Sequence, residues 1–507
     1  MIPSSVLHRR HGAHALMKTA LAAVLAASTA AVMLICIGAQ PASATQMLAV
    51  PMPSGPMTIE IHKYEQPDTL GNPASGLEIT DPSLLPQTPP VSGATFTATR
   101  VPNVDLTTHE GQREAGEMTV DEAAQRIADA AAVPETSDTT DGSGDATLSV
   151  TTSGLYYVQE TVTPQGFVNA APFLVALPLT NPETRDGWLT TVHVYPKNER
   201  VGIRLSVVDE DSVALGDTVH WKATADLPAK PTTSYVVRQK IDPRLQLVDG
   251  VDGFTLGLSC ACAPLAEGAD YLVTQDQTTK EYVIEFTAAG RAKLATAAAE
   301  HPGVTVTVDY DTIVLAEGEL QNTATLHVDG SDAANDTAET RWGPLEIIVH
   351  ERGSFEIRIP GARFQLYLTE ADALAGTNPI VIEGVREWTS DADGQIYIRG
   401  LRFSDFVNGA NVAADDSLYR NYFVKMTHIP DGYSGVQVPI GLSVTSSTEA
   451  QVAVVELWRS VGPGPGPGGL PVTGAQMAGA SLLLALALGT SGAALFAARK
   501  RRRGEAQ

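Results

Sequence analysis

Thr58-Ile59-Glu60-Ile61-His62-Lys63-Tyr64 opens with apolar and polar side chains in alternation, the period of an extended strand with one face in a core. The same short pattern, punctuated by turns, recurs at 95–99, 154–160, 189–195, 218–225, 282–287, 304–310, 323–328, 364–368, 396–398, 422–426 and 451–457. Strands at such spacing predict an all-β chain of β-sandwiches. Two helices are expected to interrupt them. The first, 119–132, opens with Thr119-x-x-Glu122, a capping box, and the second, 287–300, is alanine-rich.

The chain has room for about three such domains between its two ends. Boundaries are expected near Arg200 and near Trp342-Gly343-Pro344, giving domains at 45–200, 201–343 and 344–460. Residues 461–474 begin as a Gly/Pro spacer, stiff and extended, and end in Leu470-Pro471-Val472-Thr473-Gly474.

Both ends look processed. Arg9, Arg10 and Lys18 precede an apolar run, and Ala42-Ser43-Ala44 has the small-x-small form of a signal-peptidase site, so 1–44 reads as a signal peptide. At the other end an uncharged stretch from Ala475 to Ala498 is followed by Arg499-Lys500-Arg501-Arg502-Arg503. Residues 475–507 therefore read as a transmembrane segment with a basic tail held on the cytoplasmic side. The whole chain carries 34 basic and 58 acidic residues. Without the three basic residues of 1–44, and the five basic and one acidic residue after Thr473, segment 45–473 holds 26 against 57, a net of -31. Such a charge excludes nucleic acid and anionic membrane surfaces as partners.

Cys36 leaves with the signal peptide, so Cys260 and Cys262 remain. In an exported chain they are a disulfide candidate, although a C-x-C loop restrains few residues. No metal site is expected, because no nearby His or Cys supplies further ligands. No cofactor is expected either. HExxH, GxSxG, P-loop and Cys–His patterns do not occur in 45–473, which argues against an enzyme.

Leu470-Pro471-Val472-Thr473-Gly474, followed by an apolar span and a basic tail, resembles the sorting signal read by sortases of Gram-positive bacteria, transpeptidases that cut between Thr and Gly. Trp188-Leu-Thr-Thr-Val192-His-Val194-Tyr195-Pro196-Lys197-Asn198 resembles the pilin motif of sortase-assembled shaft pilins. The resemblance implies that Lys197 is the sortase acceptor, forming an amide with Thr473 of another subunit. Its ammonium must first lose a proton. Elsewhere, 58–67 resembles the first strand of the N-terminal pilin domain. Gly216-Asp217-Thr218-Val219 with Trp221, and 320–324, resemble the middle domain. Gly361-Ala-Arg-Phe364 with Asp391-Ala-Asp393-Gly394 resembles the C-terminal domain. The implied fold is three tandem immunoglobulin-like sandwiches. Asp391-x-Asp393-Gly394 lacks the remaining ligands of a calcium loop and reads as a hairpin turn.

Pilin domains of this kind cross-link themselves by an intramolecular Lys–Asn isopeptide bond, which needs a neutral lysine, an asparagine and a protonated acid buried together. In the N-terminal domain the resemblance assigns these parts to Lys63, Asn198 and Glu160, the last within the E-box-like 156–167. A structural alternative for Glu160 is to order the E-box loop by hydrogen bonds. In the middle domain Arg204 and Gln239 take the expected lysine and acid places, and only Asn322 remains. In the C-terminal domain 344–350 has no lysine, Met426 replaces the E-box acid, and Glu456 falls near the expected Asn.

Two function classes follow. One is the structural subunit of a covalently polymerised pilus. Its partners would be sortase, identical subunits, peptidoglycan, minor pilins and a host or bacterial surface ligand. The other is a wall-anchored adhesin or minor pilin that uses the sorting signal for attachment alone. Either places the chain outside the cell, anchored to the wall.

Overall fold

The computed structural model describes residues 51–67, 75–262 and 264–460. The expected signal peptide, the spacer, the 470–474 motif and the transmembrane segment lie outside the described residues. Among those described, no helix is long and apolar enough to cross a membrane. The architecture is all-β: three immunoglobulin-like sandwiches in tandem with short helical insertions, each sandwich with its own apolar core.

In the first sandwich the strand Met57–His62 runs between Asp145–Val150, antiparallel, and Thr191–Val194, parallel. The facing sheet has the order Thr136–Thr139, Thr95–Arg100, Gly154–Val162, Phe173–Leu177. Alternation along Met57–His62 sends Ile59 and Ile61 inward against Phe96, Leu148 and Val158. Each such burial contributes about 1.5–3 kcal/mol. The helix Val120–Asp129 has the expected capping box between Thr119 and Glu122. A preceding helix, His109–Glu117, was not expected. Its Gly111 lies so close to the backbone of Asp105 that a Cβ would sit 1.9 Å from the Asp105 carbonyl oxygen, so glycine is required there.

The middle sandwich packs Trp221, Tyr235, Phe286 and Trp342 between its two sheets. The alanine-rich helix spans Ala288–Glu300, capped by the Thr287 hydroxyl. One strand, Ser331–Glu351, runs without a break through Trp342-Gly343-Pro344. Up to Trp342 it pairs with Gly318–Val328; from Trp342 on it pairs with Gln395–Arg402, and from Leu345 on with Gln451–Arg459 in parallel. Pro344 has no N–H to give, and it falls where the ladder register shifts between Gly343 and Leu345. Adjacent segments bolt the same junction. Asp209 is buried; one carboxylate oxygen accepts the Thr340 hydroxyl at 2.5 Å and the other the Asn408 N–H at 2.7 Å. The Asn408 side-chain oxygen accepts the Asp209 N–H at 2.9 Å.

In the third sandwich the Asp391 carboxylate accepts from the Asp393 and Gln395 N–H groups while Gly394 takes a φ of 65°. That is a tight turn. Asp141 makes the same contacts to Ser143 and Asp145 in the first sandwich.

Candidate functional site

Lys63 directly follows the first strand, Asn198 lies on the strand Lys197–Arg200, and Glu160 lies on Gly154–Val162. All three are buried: Lys63 and Asn198 are 0% exposed and Glu160 4%. Their side chains form a closed triangle. Lys63 Nζ donates to Glu160 Oε2 at 2.8 Å and to Asn198 Oδ1 at 2.5 Å, and Asn198 Nδ2 donates to Glu160 Oε1 at 2.8 Å. Glu160 Oε2 also accepts the Ala170 N–H at 2.9 Å, so the carboxyl orders the loop after its strand as well. The Phe96 ring lies 5.1 Å from the amine. Burial brings the Lys63 pKa down from 10.5 to about 8, against the pull of Glu160, with Lys230 and Lys197 adding to the fall. At pH 7 such an amine is neutral about a tenth of the time, against roughly three parts in ten thousand for a solvated lysine.

The strand holding Asn198 turns the neighbouring residue the other way. Lys197 is half-buried, its Nζ donating to the Tyr195 carbonyl at 3.0 Å, and burial lowers its pKa too. Tyr195 and Pro196, with Phe173 and Val194, line a shallow pocket beside Lys197. Lys197 pairs in parallel with Tyr64, and Asn198 with Glu65, so the short strand Tyr64–Glu65 that follows Lys63 lies along the start of Lys197–Arg200.

The other two sandwiches are different. Among the described residues Lys63 is the sole buried lysine. In the middle sandwich the strand Ile203–Val208 points Ile203, Leu205 and Val207 inward, so Arg204 is exposed and does not occupy the internal lysine position that the sequence suggested. The buried polar group is Gln239, Tyr310 and Asn322. Tyr310 Oη donates to Gln239 Oε1 at 3.3 Å and accepts from Asn322 Nδ2 at 3.2 Å, while Asn322 Oδ1 accepts the Asp242 N–H at 2.9 Å. Gln239 Nε2 has no partner. In the third sandwich Met426 packs in the apolar core, and the half-exposed Glu456 lies 3.8 Å from His350 Nε2.

Cys260 and Cys262 are joined as a disulfide. Contrary to the sequence expectation, a further donor stands beside them: His301, at the C-terminal end of the alanine-rich helix, has a ring nitrogen within 4.8 Å of both sulfurs. Helix packing, not chain proximity, brings it there. While the sulfurs are bonded to each other they are not thiolate ligands.

Residues 55–199 match the family described as Gram-positive pilin subunit D1, N-terminal domain. The chain is 28% identical over 500 residues to the fimbrial subunit type 1 of Actinomyces viscosus, covering 89% of this chain and 91% of that protein. It is 29% identical over 510 residues to the fimbrial subunit type 2 of Actinomyces naeslundii, covering 88% and 91%. Its fold is similar to the full-length major pilin SpaD from Corynebacterium diphtheriae, with a TM-score of 0.59 at 24% identity, covering 82% of this chain and 99% of that one. The major pilin SpaA of the same organism gives a TM-score of 0.61 at 22% identity, covering 79% and 99%.

Proposed function

We propose that this chain, a structural pilus subunit, builds a covalent shaft in which Lys197 of one subunit is joined by an amide to Thr473 of the next. The observation that carries the reading is the opposed placement of neighbours on one strand: Lys197 faces outward with its amine partly desolvated, while Asn198 is sealed inside. The chemistry is transpeptidation. A sortase thiolate attacks the Thr473 carbonyl carbon, the Thr473–Gly474 bond breaks, and the acyl group is held as a thioester. Neutral Lys197 Nζ then attacks that carbon, losing a proton, and the thiol leaves. Burial makes the neutral amine easier to reach. Transfer of the last thioester to peptidoglycan would anchor the polymer to the wall, and 1–44 and 475–507 would serve export and retention.

The buried triangle supports an internal cross-link. One proton moves from Lys63 to Glu160, leaving an amine and a carboxylic acid. Lys63 Nζ attacks Asn198 Cγ; Glu160, which lies on Asn198 Nδ2, gives its proton to that nitrogen and takes one from the attacking nitrogen, so the C–N bond to Nδ2 breaks and ammonia departs. The product would tie the first strand of the sandwich to its last, so tension entering at Lys197 would bypass the sandwich. No amine occupies the corresponding polar cluster of the middle sandwich among the described residues, which supports a single internal bond.

Digesting polymer isolated from walls and sequencing the branched peptides by mass spectrometry tests the proposal. The expected junction links Lys197 to Thr473; a junction at any other lysine would refute it.

A further inference from the structure

Two histidines stand beside the acceptor segment with no part yet in the chemistry. His62 ends the first strand, and His193 lies on the strand leading to Lys197. His62 Nε2 is 3.0 Å from His193 Nδ1, and the rings are stacked 2° from parallel with centroids 5.3 Å apart. On its other side, His62 Nδ1 is 2.7 Å from Asp145 Oδ1. A carboxylate accepts, so Nδ1 carries hydrogen, and a neutral His62 then accepts at Nε2 from His193 Nδ1–H. The Tyr195 ring lies on His62 at 4.8 Å, and its hydroxyl accepts the Ile79 N–H at 2.8 Å. The carbonyl of the same Tyr195 holds the Lys197 amine.

We propose that His62 and His193 are positioning residues for the intersubunit reaction: their hydrogen-bonded pair fixes the Tyr195 ring, and Tyr195 presents Lys197 to the acyl donor while at least one imidazole is neutral. This rests on Lys197 being the acceptor. When both rings are protonated, two N–H groups and two positive charges face each other across the same gap. The hydrogen bond is then lost and repulsion replaces it. The charged and titratable groups around the pair are Asp145 on one neighbouring strand, Glu60 on the strand of His62, Glu78 in the segment before the second sheet, and Tyr64 and Tyr195. Glu60 is itself engaged, accepting the Thr147 hydroxyl at 2.7 Å. Burial and the neighbouring His62 hold His193 below its ordinary value of 6.5, against the pull of Glu78 and Glu60. A neutral His193 is therefore the folded preference, and its contribution is complete above pH about 6.5 and lost as pH falls through the lowered His193 value. The surface end of the motif is thus fastened by a titratable contact, and the buried end by the Lys63 triangle.

The test separates acceptor from donor. Full chains carrying Lys197→Ala serve only as donors, chains carrying Thr473→Ala only as acceptors, and mixing them with sortase yields one dimer. Hydroxylamine as acceptor, run in parallel, divides out the pH response of the sortase and of the thioester step. With the wild-type histidines, dimer yield relative to hydroxylamine should fall more steeply below pH about 6.5 than it does with a non-titrating residue at 193, by about fivefold or more once His193 is protonated. His193→Gln in the acceptor chain keeps a donor without a titrating ring and should remove that extra fall, leaving only the pH response of the Lys197 amine that both chains share. His62→Ala should raise the KM for the acceptor at pH 7.5 without changing its circular dichroism. Parallel profiles for wild type and His193→Gln would overturn the proposal while Lys197 remained the acceptor. A dimer formed by a Lys197→Ala acceptor would overturn both.

Discussion

Lys63 Nζ and Asn198 Oδ1 lie 2.5 Å apart, although 135 residues separate them in the chain. They sit at the end of the first strand and the start of the last, and Glu160 closes the triangle from the opposite sheet. Since Lys197 precedes Asn198, one strand carries both the residue proposed as acceptor for a neighbouring subunit and the residue that would lock its own domain.

Condensation of Lys63 with Asn198 releases one ammonia, so the intact mass of the processed, reduced chain should lie about 17 Da below that of its sequence. Glu160→Ala should restore the full mass and also destabilise the first sandwich by about 3–5 kcal/mol, because it leaves a buried amine without its acid. High-resolution intact mass spectrometry checks the first part and chemical denaturation the second. A deficit of two or three ammonia units would mean that the other sandwiches also condense.

The condensation rate should respond to pH in a particular sense. The reactive arrangement, neutral Lys63 with protonated Glu160, holds the same single proton as the ion pair, so the rate is flat while that proton stays. It is lost as pH rises through the lowered Lys63 value of about 8, and the rate should then fall. Ammonia release from chain recovered denatured and uncondensed, then allowed to fold at pH 6 to pH 10, measures this. A rate that climbs steadily with pH would instead mean that a free amine suffices and that Glu160 takes no proton.

Much of the first sandwich, and one turn of the third, was legible in the sequence because the devices are local. The Thr119–Glu122 capping box, the alternation of 58–64 and the Asp391 turn each act within a few residues. The triangle was legible only through the resemblance, since no local pattern places residues 63, 160 and 198 together. Three features escaped for physical reasons. Trp342-Gly343-Pro344 reads as punctuation, yet a register shift lets one strand carry Pro344 between two sandwiches. His301 meets Cys260 and Cys262 through helix packing over about forty residues of chain. The Arg204 assignment ignored strand parity: in Ile203–Val208 the even positions face solvent.

The Gln239–Tyr310–Asn322 cluster should behave as structure alone. Asn322→Ala removes the donor to Tyr310 and the acceptor for the Asp242 N–H. It should lower stability by about 1–3 kcal/mol while leaving the ammonia deficit unchanged. Denaturant titration and intact mass on the same sample decide it. A change in mass deficit would show that Asn322 had been a cross-linking residue.

The junction around Asp209 should be stiff because its carboxylate is fully used. Asp209→Ala strands the buried Thr340 hydroxyl and the Asn408 N–H. It should cost about 2–4 kcal/mol and expose the segment near residue 209 to protease. Limited proteolysis with mass mapping reads this. An unchanged cleavage pattern would mean that the strand Ser331–Glu351 and the backbone bonds of 213–215 to 400–402 hold the junction without Asp209.

The central claim is most directly tested by blotting wall extracts of cells that carry Lys197→Ala in an otherwise unchanged chain. The substitution removes the acceptor amine and spares Thr473, so the high-mass ladder should vanish while single subunits remain attached to the wall. A ladder that persists in Lys197→Ala would contradict the account, because the shaft would then be joined through some other group.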